Sequence, residues 1–479
     1  MEIAVVKNRN TIAIHPASKV LTRLVKELRF TRREQSYDYK SIKSGNTNKY
    51  ETVLLYQYDK ESDTLTTFAG FIDRVYSIIA ELGHVPILSE PNKPFEYEPV
   101  IEAISGIDLR GAQSKMIATA CSCDRAQFNG VTGMGKSVLV SQLCRIYPYP
   151  DFNIVICAQQ RPVVTALYKA VSKYFPHDTG KIGGGSNSPA RITVSTAASL
   201  LKVPSPNKIN MFIYDEVHTA GGRSISNKLG YFTNARMYGL SASTECRTDN
   251  ADRLIEALFG PVRVTIDMKE GQDEGYIPPV NAHFYNTYTP TINSKVPSTR
   301  KREGIWNNFT RNNAIISVAK YWESKVDNPQ ILIMTDALEH VLRLQQQLPD
   351  YDIIYASANK DRLDKFKREG LIPDDYKALT DKQRENKIAD FEIGKLRKVI
   401  STTTLGVGVD APGLDVIIRA DGGSSEISNI QFRGRVMRGD SGVYCDFLDT
   451  GDEGMKRKAQ SRRKSAEKAG WPVQIEELP

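Results

Sequence analysis

One loop leaves its backbone few alternatives: Gly130-Val-Thr-Gly133-Met-Gly135-Lys136-Ser137. Glycines at 130, 133 and 135 let the chain fold back so that successive N–H groups converge on one point. Lys136 adds a point charge there and Ser137 a hydroxyl. The run from Ser137 to Ile146 then carries apolar residues at helical spacing, with neither Pro nor Gly. A helix opening at such a loop attracts anions to its N-terminus. The pattern is G-x-x-x-x-G-K-[ST], which points to a nucleotide's phosphates held by amides and Lys136, with Ser137 toward Mg²⁺. The strand expected ahead of it, Arg125–Asn129, offers only Ala126 and Phe128 as apolar residues.

A chain of 479 residues exceeds one ordinary domain. Its 40% apolar and 25% charged residues are those of a globular protein, and a net charge of +8 permits a polyanionic partner without requiring one. The six cysteines form no C-x-x-C pair and have no histidine at zinc spacing, so reduced thiols are expected, not a disulfide framework or a metal cluster. No apolar run reaches about 18 residues and no leader is visible at the start. The expectation is a soluble protein without membrane contact, cytoplasmic, or in the host cytoplasm were its source viral.

Residues 1–88 read as a small α+β domain. Ile3–Val6 and Thr11–Ile14 flank a turn, Val20 to Leu28 follow helical spacing, and Thr52–Tyr58 with Thr64–Phe68 form a second hairpin. Phe71 to Leu82 look helical. Pro86, Pro91, Pro94 and Pro99 suggest a stiff linker and a boundary there. Apolar strand candidates then alternate with helices: Ile154–Cys157, Ile192–Val194, Met211–Tyr214 and Met237–Leu240 in 89–279, then Ile331–Met334, Ile353–Tyr355, Val399–Ile400, Val416–Ile418 and Val443–Tyr444 in 280–450. Such alternation means βαβ units and parallel sheets. Residues 451–479 read as a basic tail, a polar helix without a core face.

Tyr214-Asp215-Glu216-Val217-His218 follows an apolar strand, at the end where open α/β sheets place ligands. An Asp there can hold Mg²⁺ through water, and a neighbouring Glu can orient or deprotonate an attacking water. Arg435 and Arg438 stand three apart, so a helix would put both on one face. An arginine delivered from another element stabilises charge on a transferring phosphoryl group.

In order, the loop 130–137, Asp215-Glu-Val-His218, Ser241-Ala-Ser243 and Gln431-Phe-Arg-Gly-Arg435-Val-Met-Arg438 resemble the motif series of superfamily 2 helicases. The resemblance covers about 100–450 and implies an α/β fold of two tandem RecA-like parallel-sheet lobes, with ATP and nucleic acid across their cleft. It implies catalytic roles for Lys136, Asp215, Glu216, Gln431, Arg435 and Arg438. Arg110, Gln113, Gly133, Gly135, Ser137, Gly408 and Asp410 would serve ATP, and Ser137 with Asp215 would hold Mg²⁺. Leu109-Arg110-Gly-Ala-Gln113 resembles the motif whose Gln reads adenine, and Ser401 to Pro412 the second-lobe motif touching the nucleic-acid backbone, here with Thr403. Ser195 and Thr196 resemble an earlier backbone contact. His218, Ser241 and Ser243 would couple the acidic pair to Gln431.

Ala158-Gln-Gln-Arg161-Pro162 departs from the family by lacking the usual Pro-Thr start of its first DNA-contacting motif. Outside the lobes, residues 19–49 hold nine Lys/Arg against three acidic residues, with tyrosines interleaved. Arg23, Lys26, Arg32 and Arg33 are the candidate duplex-phosphate contacts, against the plainer reading of a solvated face. Within the superfamily the chain is most similar to UvsW-like phage and RecG-like helicases of branched DNA, which implies a monomer acting on forks and junctions in recombination or repair. The alternatives are an RNA helicase, the translocating subunit of a restriction complex, or an ATP-switched nucleic-acid clamp that does not unwind.

Overall fold

A computed structural model describes the chain except for residues 36–47, 92–96, 131–133, 242–249, 276–279, 295, 357, 403–410, 412, 424–441 and 469. Packing divides it into two compact units, one of Met1–Gly130 with Gly135–Ile266, the other chiefly Asp267–Pro479.

The first unit opens with strands β1 (Glu2–Lys7), β2 (Thr11–His15), the paired β3 (Arg29–Gln35) and β4 (Asn48–Leu54), β5 (Tyr56–Asp59), β6 (Thr64–Phe68) and β7 (Val85–Ser89). Five of them form a sheet in the order β5-β6-β2-β1-β7, while β3 and β4 make a separate antiparallel pair. The proline-marked stretch expected as linker therefore begins as a strand: Pro86 sits in β7 opposite Ile3 of β1. An edge strand tolerates Pro because one side of it needs no ladder bond.

This sheet has no closed core of its own. Ile3, Val5, Leu24, Phe71 and Ile79 belong to one apolar cluster with Val155, Phe212, Ile255 and Phe259. Gly70 shows how close the approach is, since a Cβ there would lie 2.1 Å from the Glu256 carbonyl oxygen. Arg74 fixes the same seam, donating to both Glu256 carboxylate oxygens at 2.9 and 2.7 Å. Packing thus runs through position 88 without a break.

The larger sheet of this unit contains β8 (Arg125–Gly130), β9 (Ile154–Ala158), β10 (Thr179–Gly183), β11 (Ser186–Ser188), β12 (Ile192–Thr196), β13 (Met211–Asp215), β14 (Arg236–Ser241) and β15 (Val262–Ile266). Their order is β11-β10-β12-β9-β13-β14-β8-β15, parallel apart from the β10–β11 pair. β8 forms despite its polar residues because they find partners. Gln127 donates to the Gly260 carbonyl at 2.5 Å, and the Arg125 guanidinium donates to the Leu258 and Arg9 carbonyls and to Asn10.

The second unit is one parallel sheet of β16 (Val280–Thr289), β17 (Ile331–Met334), β18 (Asp352–Ile354), β19 (Lys398–Ser401), β20 (Val416–Arg419), β21 (Gly442–Gly451) and β22 (Val473–Glu476), in the order β18-β19-β17-β20-β21-β16-β22. Helices Leu338–Gln345 and Asp381–Glu392 lie between these strands in the chain. The expectation for the tail is overturned. Its helix, Glu453–Lys468, buries Met455, Ala459, Arg462 and Ala466, and the chain then adds β22 beside β16. Arg462 is buried because carboxylates wait for it: its Nε donates to both Asp446 oxygens at 3.0 Å, and Nη2 reaches the Phe447 carbonyl at 2.8 Å. Nη1 donates at 3.1 Å to the carbonyl of Gly423, which also accepts from Arg419 at 3.2 Å. The five described cysteines are free, and among the described residues no helix is long and apolar enough to cross a membrane.

Candidate active site

In the first unit β14 lies between β13 and β8, with Asp215 opposite Leu240 and Ser241 opposite Asn129. Three adjacent strand ends therefore bring the acidic pair, Ser241 and Gly130, where the loop motif begins, to one edge of the sheet. Helix Gly111–Ser122 adds Gln113. Its side-chain oxygen accepts from the Arg110 N–H at 3.0 Å, and its amide donates to the Gly135 carbonyl at 3.3 Å.

Gly135 has φ +83° at the N-cap of the helix Lys136–Arg145, a left-handed conformation that an L side chain rarely adopts. A Cβ there would lie 2.6 Å from the Gln113 amide nitrogen, so the cradle is shaped around a bare backbone. Lys136 stands 3.7 Å from Glu216, and Ser137 is exposed in the first turn. Gly133 lies outside the described residues.

Asp215 ends β13 almost buried, and its own carboxylate accepts the Glu216 N–H at 3.1 Å. Glu216 takes φ +58°. A non-glycine residue in that region stores roughly 1–3 kcal/mol of strain, which aims its side chain across the strand ends. There it meets His218 at 3.3 Å and the Ser241 hydroxyl at 3.5 Å, and His218 Nδ1 is 2.9 Å from that same hydroxyl. His218, Ser241 and Glu216 are thus in mutual contact. Ser243 and Gln431 lie outside the described residues.

Burial pushes both carboxyls up. At Asp215 the charge of Glu216 adds to burial and the result stays above the usual range. At Glu216 the Lys136 ammonium and the hydrogen bond from His218 outweigh burial, so Glu216 is held ionised. Among the described residues no cluster of three or more His, Cys, Asp or Glu could cage a metal. A magnesium ion would have Asp215 and Ser137 at hand and would complete its shell with water and phosphate oxygens, the mode usual for Mg²⁺ at nucleotide sites. The residues fit a magnesium nucleotide, which would supply the phosphoryl group and the charge that polarises it. Of the chain's own groups, Lys136 would stand beside the phosphates, and the Glu216 carboxylate lies against Lys136, His218 and Ser241.

Other expected contacts fare differently. Ser195 is fully buried and its hydroxyl turns to the Thr196 carbonyl at 3.1 Å, while Thr196 bonds Ser199 at 3.0 Å. Arg23 is exposed beside Glu27 and Glu81, and Lys26 is exposed. Arg32 departs from the expectation of a surface phosphate contact. It is buried, and its guanidinium donates to the Gly221 carbonyl at 2.9 Å because the β3–β4 pair packs onto the turn that follows the acidic pair. No sequence signal joins residues 189 apart in this way. The side chain of Arg33 is outside the description, as are Thr403, Gly408, Asp410, Arg435 and Arg438.

Residues 106–245 match the model of the type III restriction enzyme res subunit, and residues 330–440 that of the helicase conserved C-terminal domain. The DNA 3'-5' translocase XPB2 of Sulfurisphaera tokodaii is 24% identical over 69% of this chain and 79% of its own length. Putative helicase 22 of Sulfolobus islandicus filamentous virus is 30% identical over 48% of this chain, which spans only 40% of that relative. S. cerevisiae Dbp5 bound to RNA and ADP BeF3 shares the fold, with a TM-score of 0.53 and 14% identity over 77% of this chain and 90% of that one. With the phosphate loop and acidic pair in the first matched stretch and most of the second parallel sheet in the other, the chain belongs to superfamily 2 of the helicases and is an ATP-dependent hydrolase.

Proposed function

We propose that the chain is a DNA translocase that spends ATP to remodel branched DNA, forks and four-way junctions, and acts as a monomer. The observation that carries the ATP-driven part is the edge formed by β13, β14 and β8, where Glu216 stands within contact of Lys136, His218 and Ser241. ATP with Mg²⁺ is the cofactor this edge suits, through Gly133, Gly135, Lys136, Ser137 and Asp215, with Arg110 and Gln113 toward the base. In this reading the second lobe supplies Arg435 and Arg438 to the γ-phosphoryl group, Gln431 to the water, and Gly408 with Asp410 to the nucleotide.

DNA is favoured over RNA by the likeness to an archaeal DNA translocase and by the motif series, which reads Asp-Glu-Val-His at 215–218. Ser195, Thr196 and Thr403 are the proposed contacts along the strand in the cleft, with Ser195 acting through backbone since its hydroxyl is turned inward. Preference for branches is assigned to exposed cations of the N-terminal domain, Arg23 and Lys26, which would grip duplex phosphates without reading bases. Deleting 1–88 would uncover the shared core, so substitution is the cleaner probe.

The test is ATPase rate on single-stranded DNA, linear duplex, fork, four-way junction and RNA in parallel at one stated salt concentration. Junctions and forks are expected to stimulate most, and Arg23→Ala with Lys26→Ala should lower the junction-to-linear ratio. Equal stimulation by RNA, or a ratio unmoved by the double substitution, would refute the branched-DNA reading.

A further inference from the structure

The β3–β4 pair of the N-terminal domain reaches the active-site edge at one place. Arg32 and Glu51 face each other across the pair. From there Arg32 donates through Nη2 to the Gly221 carbonyl at 2.9 Å, and Glu51 accepts from Arg223 at 2.8 Å. Asn250 adds a bond to the Thr31 carbonyl at 3.3 Å. The loop gripped between positions 221 and 223 is the direct continuation of the short helical turn Val217–Gly221, which carries His218. Beneath it Phe30, Val217 and Ala220 share the apolar cluster, and the Arg32 guanidinium lies 5.7 Å from the Phe30 ring.

Arg32 is only 6% exposed, and its Nε is buried without a hydrogen-bond partner among the described residues. A buried guanidinium is a costly way to hold a turn, since its desolvation must be offset by the bonds it makes. The Gly221 carbonyl is the acceptor on which its direction depends. The turn ends at that carbonyl and begins beside Glu216, whose carboxylate orientation rests on His218 at 3.3 Å.

We propose that Arg32 is a positioning residue for hydrolysis: by holding Gly221 it fixes the turn that presents His218 to Glu216, so the seating of the β3–β4 pair sets the rate at which bound ATP is cleaved. The cations of the same domain that would grip DNA stand on the segment leading into β3, so a load on that domain is passed to the acidic pair through this clamp. The inference rests on the reading of Glu216 as the residue that orients water.

The experiment measures steady-state ATPase of the full chain with saturating linear duplex, with Glu216→Gln as control. Arg32→Ala is expected to lower kcat about tenfold or more with KM for ATP within about twofold, because loop and Lys136 are untouched. Arg32→Lys, which can still donate to one carbonyl, should recover much of the rate. Because Arg32→Ala could unfold the domain, the exposed pair provides a second probe. Glu51→Arg and Arg223→Glu should each lower kcat, and the double exchange should restore it. Wild-type kcat in Arg32→Ala, a loss of rate matched by a rise in KM, or single exchanges without effect would overturn the proposal. Turnover by Glu216→Gln at the wild-type rate would instead defeat the reading of the site beneath it.

Discussion

Replacing Arg462 with Ala probes how the second unit is held together. The residue is fully buried with five polar contacts, to Asp446, Asp449 and the carbonyls of Gly423 and Phe447. Truncation leaves two buried carboxylates behind. Breaking a buried pair by removing one partner costs about 3–5 kcal/mol. Here Asp446 keeps the Tyr444 hydroxyl at 2.8 Å and the Phe447 amide at 2.7 Å, and Asp449 keeps Arg311 at 2.9 Å, which places the loss at the lower end. About 3 kcal/mol in a domain of roughly 200 residues is a fall in Tm of about 6–12 °C. The neighbour serves as control. Among the described residues Arg463 pairs with Glu467 alone, both partly exposed, so Arg463→Ala should change stability by less than about 0.5 kcal/mol. Calorimetric scans of both variants give the answer. Equal, small shifts for Arg462→Ala and Arg463→Ala would refute the reasoning that this helix is anchored by a buried cation.

Glu216→Gln should retain ATP binding, because Asp215 and the loop remain, yet stall in turnover, as read by nucleotide binding and single-turnover assays. Arg435→Ala or Arg438→Ala should lower kcat on the order of 10³-fold if either is a finger, and losses below about tenfold in both would exclude that role. His340 is held at about 3, first by burial and then by the nearby Arg311 charge. It stays neutral in the fold and takes up a proton on unfolding below its ordinary value near 6.5. Its contribution is therefore complete above pH 6.5 and is lost as pH falls toward 3, at about 1.4 kcal/mol per pH unit. Urea unfolding at pH 7.5 and 5.5 should show a smaller pH effect in His340→Gln than in the wild type.

How much of this was legible in the chain depended on where the determinants lie. Parallel strands buried on both faces read as continuous apolar runs, which is why Ile154–Cys157, Met211–Tyr214 and Ile331–Met334 appear as expected. β8 and β16 were obscured by polar residues that find partners far away, such as Arg125 and Thr289. Pro86 looked like a linker because its edge position is invisible in sequence. Helix 453–468 looked solvated because the anchor among its buried residues is an arginine whose counter-charges, Asp446 and Asp449, sit on another element. The candidate site's motifs were legible because the loop sequence, the acidic pair and Ser241 each come where a strand ends. The burial of Arg32 was not, since only the fold brings the β3–β4 pair to Gly221.

The central claim is that the edge built on Lys136 and Glu216 hydrolyses ATP. The most direct measurement is steady-state phosphate release by Lys136→Ala and wild type, with and without duplex DNA, alongside circular dichroism and DNA binding. The account predicts that Lys136→Ala keeps its fold and most of its DNA affinity while turnover is abolished. Turnover near the wild-type rate in a folded Lys136→Ala protein would contradict it.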